Sequence, residues 1–332
     1  MKFKKITTFT MISWALLLCS LFAFIPFQAQ AKGSPKGTPS STPTIYNAVL
    51  DELSADSIDA QLKKLSAQAW FMVDAEKGRP LSWKNPDKKM YPASMTKMMT
   101  CILACESGRL SDIVTISAKS AAVPYGGVKT GEQYVLRDLL YRVMLPSDNG
   151  AAAAVAEFLG EDIPSFAVMM NKKAKALGMN STNFVNPHGL PDDNHYTTAR
   201  DMMKLLKYCM KNKDFAEIVS NSSKTIYTTT GKQINLKSTI GLYGRYDGCL
   251  GGKTGTTRAA GGCLASAVER DGTRIYLVIM KCEPARERTG ESIVLYDKGF
   301  EMMKFFKRHK HGYRDANARP QAQQNVARPK NK

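Results

Sequence analysis

The sequence predicts an α+β fold in which an antiparallel sheet is flanked by helices and a mainly helical subdomain is inserted between the two halves of the sheet. Three observations lead there. A strand, turn and return strand stand near residues 69–83, helical periodicity governs residues 95–213, and strand-length runs separated by turn signals fill 225–281 before a last amphipathic helix. Strands at both ends of a chain with helices between them imply one sheet built from both ends.

Ala69-Trp70-Phe71-Met72-Val73-Asp74 has the aromatic and branched content of a strand, Glu76-Lys77-Gly78-Arg79 that of a turn, and Pro80-Leu81-Ser82-Trp83 that of the return strand. Between Met95 and Ser107, residues Met98, Met99, Ile102, Leu103 and Ala104 suit a buried helix, opened by Pro92-Ala93-Ser94 and closed by Gly108. Further helices are expected over 136–145, 150–159, 164–177 and 198–213. Strands follow near 225–229, 233–236, 248–254, 261–268 and 274–281, the last two joined through Asp271-Gly272, a hairpin dipeptide. A helix over 290–308 brings Ile293, Leu295, Phe300, Met303 and Phe306 where they could cover a sheet.

The termini read differently. Lys2, Lys4 and Lys5 precede an apolar run from Met11 to Phe27 and the small-x-small Ala29-Gln30-Ala31, so residues 1–31 are expected to be a secretory signal peptide. Residues 32–44, rich in Gly, Ser, Pro, Thr and Lys, lack the apolar content to fold and read as a flexible linker. The folded domain is expected over 45–310, and residues 311–332 as a basic disordered tail. The export signal implies an extracytoplasmic location in the cell envelope.

The net charge is +18, and losing the three signal lysines leaves +15. On an exported protein that excess suits anionic envelope polymers or lipid headgroups, an electrostatic contact for which the tail is the candidate. No zinc-finger, RNA-recognition or helix-turn-helix signature accompanies the charge, so nucleic acid is not an expected partner. Six of the seven cysteines follow the signal, and Cys101 and Cys105, i and i+4 in a helix, read as small buried apolar residues. The four histidines show no ligand spacing with them, and neither a metal nor a cofactor is expected.

Ser94-Met95-Thr96-Lys97 places a hydroxyl and an amine three residues apart at a helix start, on one face and within hydrogen-bond reach. A serine hydroxyl is a weak nucleophile near neutral pH, and a lysine kept neutral by desolvation and nearby positive charge can take its proton. Alone the motif is a frequent accident. Ser147-Asp148-Asn149 then follows Met144-Leu145-Pro146 and precedes a small-residue helix, a setting that presents side chains into a cleft. Lys253-Thr254-Gly255, followed by Thr256-Thr257, ends a strand and offers a cation, hydroxyls and a glycine that admits substrate backbone. Ser-x-x-Lys, Ser-Asp-Asn and Lys-Thr-Gly in this order, about 50 and then about 105 residues apart, form the signature of class A β-lactamases and penicillin-binding proteins.

With Tyr91-Pro92-Ala93, Asn186-Pro187-His188-Gly189-Leu190 and Ala259-Ala260-Gly261-Gly262-Cys263-Leu264 added, residues 45–310 resemble the serine-type D-Ala-D-Ala carboxypeptidases, the low-molecular-mass penicillin-binding proteins. The resemblance implies a β-lactamase/DD-peptidase-like fold, peptidoglycan stem peptides ending in D-Ala-D-Ala as substrate, and acylation by β-lactam antibiotics. It implies Ser94 as nucleophile, Lys97 as base, and Ser147 with Lys253 as the proton relay to the leaving amine. Asn149 would bind the substrate backbone, the N–H groups of Ser94 and Thr256 would form the oxyanion hole, and Gly255 would let the substrate come close. Thr254, Thr257 and Arg288 would hold the terminal carboxylate, with Arg286 a neighbour of the same kind.

Two other readings share part of this pattern. A class A β-lactamase needs a carboxylate about 35 residues past Ser-Asp-Asn to activate the deacylating water, and the stretch from Ser181 to Leu190 carries none, although Asp192 and Asp193 follow it. A non-catalytic wall-binding module would have no reason to keep Ser94, Lys97, Ser147 and Lys253.

Overall fold

The computed structural model describes residues 61–316, so the expected signal peptide, linker and all but the start of the tail lie outside the described residues. Its centre is a five-stranded antiparallel sheet in the order β2-β1-β9-β8-β7. β1 (Ala69–Asp74) and β2 (Pro80–Lys84) come from the N-terminal side; β7 (Cys249–Thr257), β8 (Gly261–Arg270) and β9 (Thr273–Cys282) come from the other end. β1 pairs with β9 through Phe71 opposite Val278 and Trp70 opposite Ile279, which joins the two halves as the sequence implied.

Because side chains alternate along a strand, each face has its own core. Phe71, Val73, Ala265, Ala267, Val278 and Met280 face the helical insertion. Trp70, Met72, Leu264, Val268, Ile275 and Leu277 face the C-terminal helix α8 (Arg288–Ala316), which lays Leu295, Tyr296, Phe300 and Met303 on them. Each fully buried large apolar side chain contributes about 1.5–3 kcal/mol, so a polar substitution at Leu277 or Leu295 would loosen that helix. Glu291 on α8 accepts from Ser66 N, Ser66 Oγ and Ala67 N, fastening the segment before β1 to the helix that follows β9.

The insertion contains α1 (Lys97–Cys105), α2 (Ala118–Ala121), α3 (Leu136–Met144), α4 (Asn149–Gly160), α5 (Ile163–Ala176), α6 (Ala199–Cys209) and α7 (Lys213–Val219). It also holds two small two-stranded sheets, β3 (Ile113–Thr115) with β4 (Gln133–Val135) and β5 (Ser223–Tyr227) with β6 (Gln233–Lys237). Thus the two strands read near 225–236 form a separate hairpin rather than part of the central sheet. The helix expected over 198–213 ends at Cys209, and α7, which the pattern did not predict, begins at Lys213 behind a cap in which Asn212 Oδ1 accepts from Phe215 N at 3.0 Å. The Asp271-Gly272 turn has positive φ at both residues, 49° and 65°, as that dipeptide requires.

Candidate active site

The site lies where the start of α1, the loop before α4 and the edge strand β7 meet. The nucleophile segment begins as a 3₁₀ turn, Ala93–Thr96, and passes into α1 at Lys97. Ala93 has φ 46°, a left-handed conformation that a residue with a Cβ adopts only when its surroundings impose it. Gly189 is part of those surroundings: a Cβ on it would stand 1.9 Å from Ala93 O, so only glycine fits.

One turn of helix sets Lys97 Nζ 3.0 Å from Ser94 Oγ. The amine is fully buried and has two further partners, Asn149 Oδ1 at 2.6 Å and the His188 carbonyl at 2.8 Å. A neutral lysine has two N–H groups and one lone pair. Two fixed acceptors therefore use both donors and leave the lone pair for the Ser94 hydroxyl. Burial, reinforced by the charge of Lys253, holds Lys97 well below its ordinary value, against an opposing pull from Asp148. Buried Lys253 is brought down to about 7, by desolvation first and then by Arg288.

The Ser147-Asp148-Asn149 segment owes its position to Asp148, a buried carboxylate that caps α4 by accepting from Ala151 N at 3.0 Å. Its other oxygen accepts from Gly127 N at 3.0 Å and from Arg142 Nε at 2.7 Å, tying the loop to α3. Ser147, just before the cap, is half-buried in a left-handed conformation with φ 69°. Asn149 is held at both ends, since its Nδ2 donates to Pro124 O at 2.7 Å while Oδ1 receives Lys97.

Strand β7 passes so close to the nucleophile that a Cβ on Gly255 would stand 2.9 Å from Pro92 O and 3.1 Å from Ser94 N. Lys253 is fully buried and donates to the Thr254 carbonyl at 3.1 Å. Thr254 Oγ1 meets Thr239 Oγ1 at 2.6 Å, Thr256 Oγ1 accepts from the Arg288 guanidinium at 2.5 Å, and Thr257 Oγ1 accepts from Ala260 N at 3.0 Å. Arg286, the neighbour that sequence could not separate from Arg288, is 83% exposed and pairs with Glu287. The structure thus gathers Ser94, Lys97, Asn149 and Gly255 at contact distance and sets Arg288 against Thr256 one residue further along β7.

Several supporting groups carried no readable signal. The carbonyl of His188 is a backbone atom, and no residue type announces its use. Arg142 is one arginine on an amphipathic helix, although six residues before an acid it was the only hint of the buried pair. Thr100 Oγ1 donates to Pro187 O at 2.6 Å, which together with Gly189 packs the Asn186–Leu190 loop behind the nucleophile. The two acids after that loop are exposed and locally engaged: Asp192 Oδ1 accepts from Asn194 N, and Asp193 Oδ1 from the Tyr91 hydroxyl. All six described cysteines are free thiols.

Comparison with known proteins agrees with this geometry. Residues 56–283 match the family described as D-alanyl-D-alanine carboxypeptidase. The chain is 30% identical over 241 residues to D-alanyl-D-alanine carboxypeptidase DacF of Bacillus subtilis, covering 70% of this chain and 62% of that protein. Against DacA of Haemophilus influenzae the identity is 33% over 255 residues, with 74% and 64% covered, so the chain spans under two thirds of the length of either relative. The DD-transpeptidase of Streptomyces K15 superposes with a TM-score of 0.68 at 28% identity, covering 72% of this chain and 98% of that one. A D-alanyl-D-alanine carboxypeptidase from Mycobacterium tuberculosis gives 0.67 at 29% identity, with 72% and 92% covered. A family match over residues 56–283, together with the shared fold, establishes that the chain belongs to the D-alanyl-D-alanine carboxypeptidase family.

Proposed function

We propose that the chain is an exported serine-type D-Ala-D-Ala carboxypeptidase that removes the terminal D-alanine from peptidoglycan stem peptides through an acyl-enzyme on Ser94. The observation that carries this reading is the buried amine of Lys97 lying 3.0 Å from Ser94 Oγ, with its other donors already placed.

Ser94 Oγ attacks the carbonyl between the two D-alanines while its proton passes to Lys97, a base whose charged form burial disfavours. The oxyanion of the tetrahedral intermediate is taken by the N–H groups of Ser94 and Thr256, which the missing Cβ of Gly255 lets lie close together by bringing β7 against Ser94 N. The C–N bond breaks as the leaving amine receives a proton through Ser147, the relay that the family resemblance assigns to it together with Lys253, releasing D-alanine. Arg288, anchored on Thr256, supplies with Thr254 and Thr257 the positive, hydroxyl-lined seat for the terminal carboxylate. Asn149 holds Lys97 and keeps a second amide N–H for the substrate backbone. Water then hydrolyses the ester to the shortened peptide.

A β-lactam presents the same carbonyl and acylates Ser94. Asp192 and Asp193 are engaged in local bonds, which supports slow deacylation rather than β-lactamase turnover. The basic tail would add an electrostatic contact with the anionic envelope, which raised salt should release. The activity is tested by free D-alanine from a peptide ending in D-Ala-D-Ala. The parent chain should release it and Ser94→Ala should not, and release by the variant would remove Ser94 from the reaction.

A further inference from the structure

Behind the nucleophile turn lies a buried histidine to which the mechanism above gives no task. His195 is 1% exposed and bridges Thr96, in the middle of Ser-x-x-Lys, and Val185, at the head of the loop behind it. Its two ring nitrogens have different partners. The backbone N–H of Val185 donates to Nδ1 at 3.1 Å. Nδ1 therefore carries the lone pair, and the proton of the neutral ring sits on Nε2. Nε2 in turn donates to Thr96 Oγ1 at 2.8 Å. Burial, against an opposing pull from Asp192, brings the ring down to about 4, so the neutral form is the one present near pH 7. The ring is also held in place: Phe184 meets it edge-on, and Tyr196 pairs through its backbone with Asn183 in both directions.

Both bonds lead to the base. Thr96 immediately precedes Lys97, and its side chain makes no capping bond to α1. The loop that Val185 begins carries the His188 carbonyl, which accepts from Lys97 Nζ at 2.8 Å. It also carries Gly189, where a Cβ would stand 2.9 Å from Thr96 Oγ1, so loop and turn meet at the hydroxyl that His195 holds.

We infer that His195 is a positioning residue for acylation: it joins the Ser94–Lys97 turn to the Val185–Leu190 loop and so keeps the His188 carbonyl on the Lys97 amine. The inference rests on Lys97 acting as the base and adds the side chain that aims it. Misplacement of a reacting group by about 1 Å can cost about a hundredfold in rate, so loss of the link should be read in the chemical step and not in binding.

Stopped-flow acylation by penicillin separates the acylation rate constant from the dissociation constant of the preceding complex. Thr96→Val removes the hydroxyl, and His195→Asn removes the ring N–H while keeping an acceptor for Val185. Each should lower the rate constant by about tenfold or more with the dissociation constant unchanged. Thr96→Ser should recover most of the loss, and the double variant Thr96→Val, His195→Asn should be no slower than either single one, because both remove the same link. A parent-like rate constant, a loss confined to the dissociation constant, no recovery by serine, or additive losses would overturn the inference. Long-range ¹H–¹⁵N spectra of the parent test the tautomer without any variant, and a proton on Nδ1 in place of Nε2 would overturn it too. A parent chain that penicillin does not acylate would instead fail the reading on which the inference rests.

Discussion

Replacing Lys253 by methionine should destroy activity and stabilise the protein, because a buried cation serves catalysis at the expense of folding. Lys253 is fully buried and brought down to about 7 by desolvation and by Arg288. In the unfolded chain a lysine titrates near 10.4. The unfolded state therefore binds the proton more readily, and the parent's stability rises with pH between those values, by up to about 1.4 kcal/mol per pH unit. At pH 7 the accumulated deficit is about 4 kcal/mol. Methionine has similar volume and no charge, and it gives up the bond from Nζ to the Thr254 carbonyl, about 1 kcal/mol. The net expectation is a gain of about 3 kcal/mol, or about 6–12 °C in Tm for a domain of this size. Calorimetry of parent and Lys253→Met across pH reads the difference directly. It should be largest at and below about pH 7 and close almost completely by pH 10, while acylation by penicillin falls at least a hundredfold. A variant less stable than the parent at pH 7, or a difference that does not narrow with pH, would refute the desolvated-cation argument.

Lys97→Ala should slow acylation by several orders of magnitude while leaving substrate binding nearly intact, since nucleophile and base act as a unit. Stopped-flow acylation decides it, and a loss of only about tenfold, 1.4 kcal/mol, would place the base elsewhere. Arg142→Met removes the partner of Asp148 and leaves a buried carboxylate uncompensated. Urea unfolding should show a loss of about 3–5 kcal/mol together with slower acylation, and an unchanged midpoint would mean that the two backbone N–H bonds suffice to hold the loop. Gly189→Ala forces a Cβ to within 1.9 Å of Ala93 O at φ 87°, so a loss of about 3 kcal/mol or more and impaired labelling of Ser94 are expected. Parent-like stability and labelling would show that the loop can retreat without moving the nucleophile.

Sequence reached furthest where period and turn chemistry agree. The strand at Ala69–Asp74, the Asp271-Gly272 hairpin and the helix carrying Leu295 and Phe300 each follow from local pattern, and their joining into one sheet followed from strands at both ends. It missed α7, a short helix that begins behind the Asn212 cap, and three-residue strands such as Ile113–Thr115, which are shorter than any periodicity can register. In the site, the spacing of Ser94 and Lys97 on one turn was enough to predict their contact. What holds them was not readable, because it consists of a carbonyl at His188, a missing Cβ at Gly189 and an ion pair closed only by tertiary packing. The choice between Arg288 and Arg286 likewise needed three dimensions, since two arginines two residues apart differ in sequence by nothing but their position relative to β7.

The central claim, a serine nucleophile activated by a neutral lysine and poorly equipped for deacylation, is tested most directly by intact mass of the protein followed for an hour after penicillin. A single persistent adduct that maps to Ser94 and is absent from Ser94→Ala is the expected result. Rapid return to the unmodified mass with hydrolysed drug, or an adduct on any other residue, would contradict it.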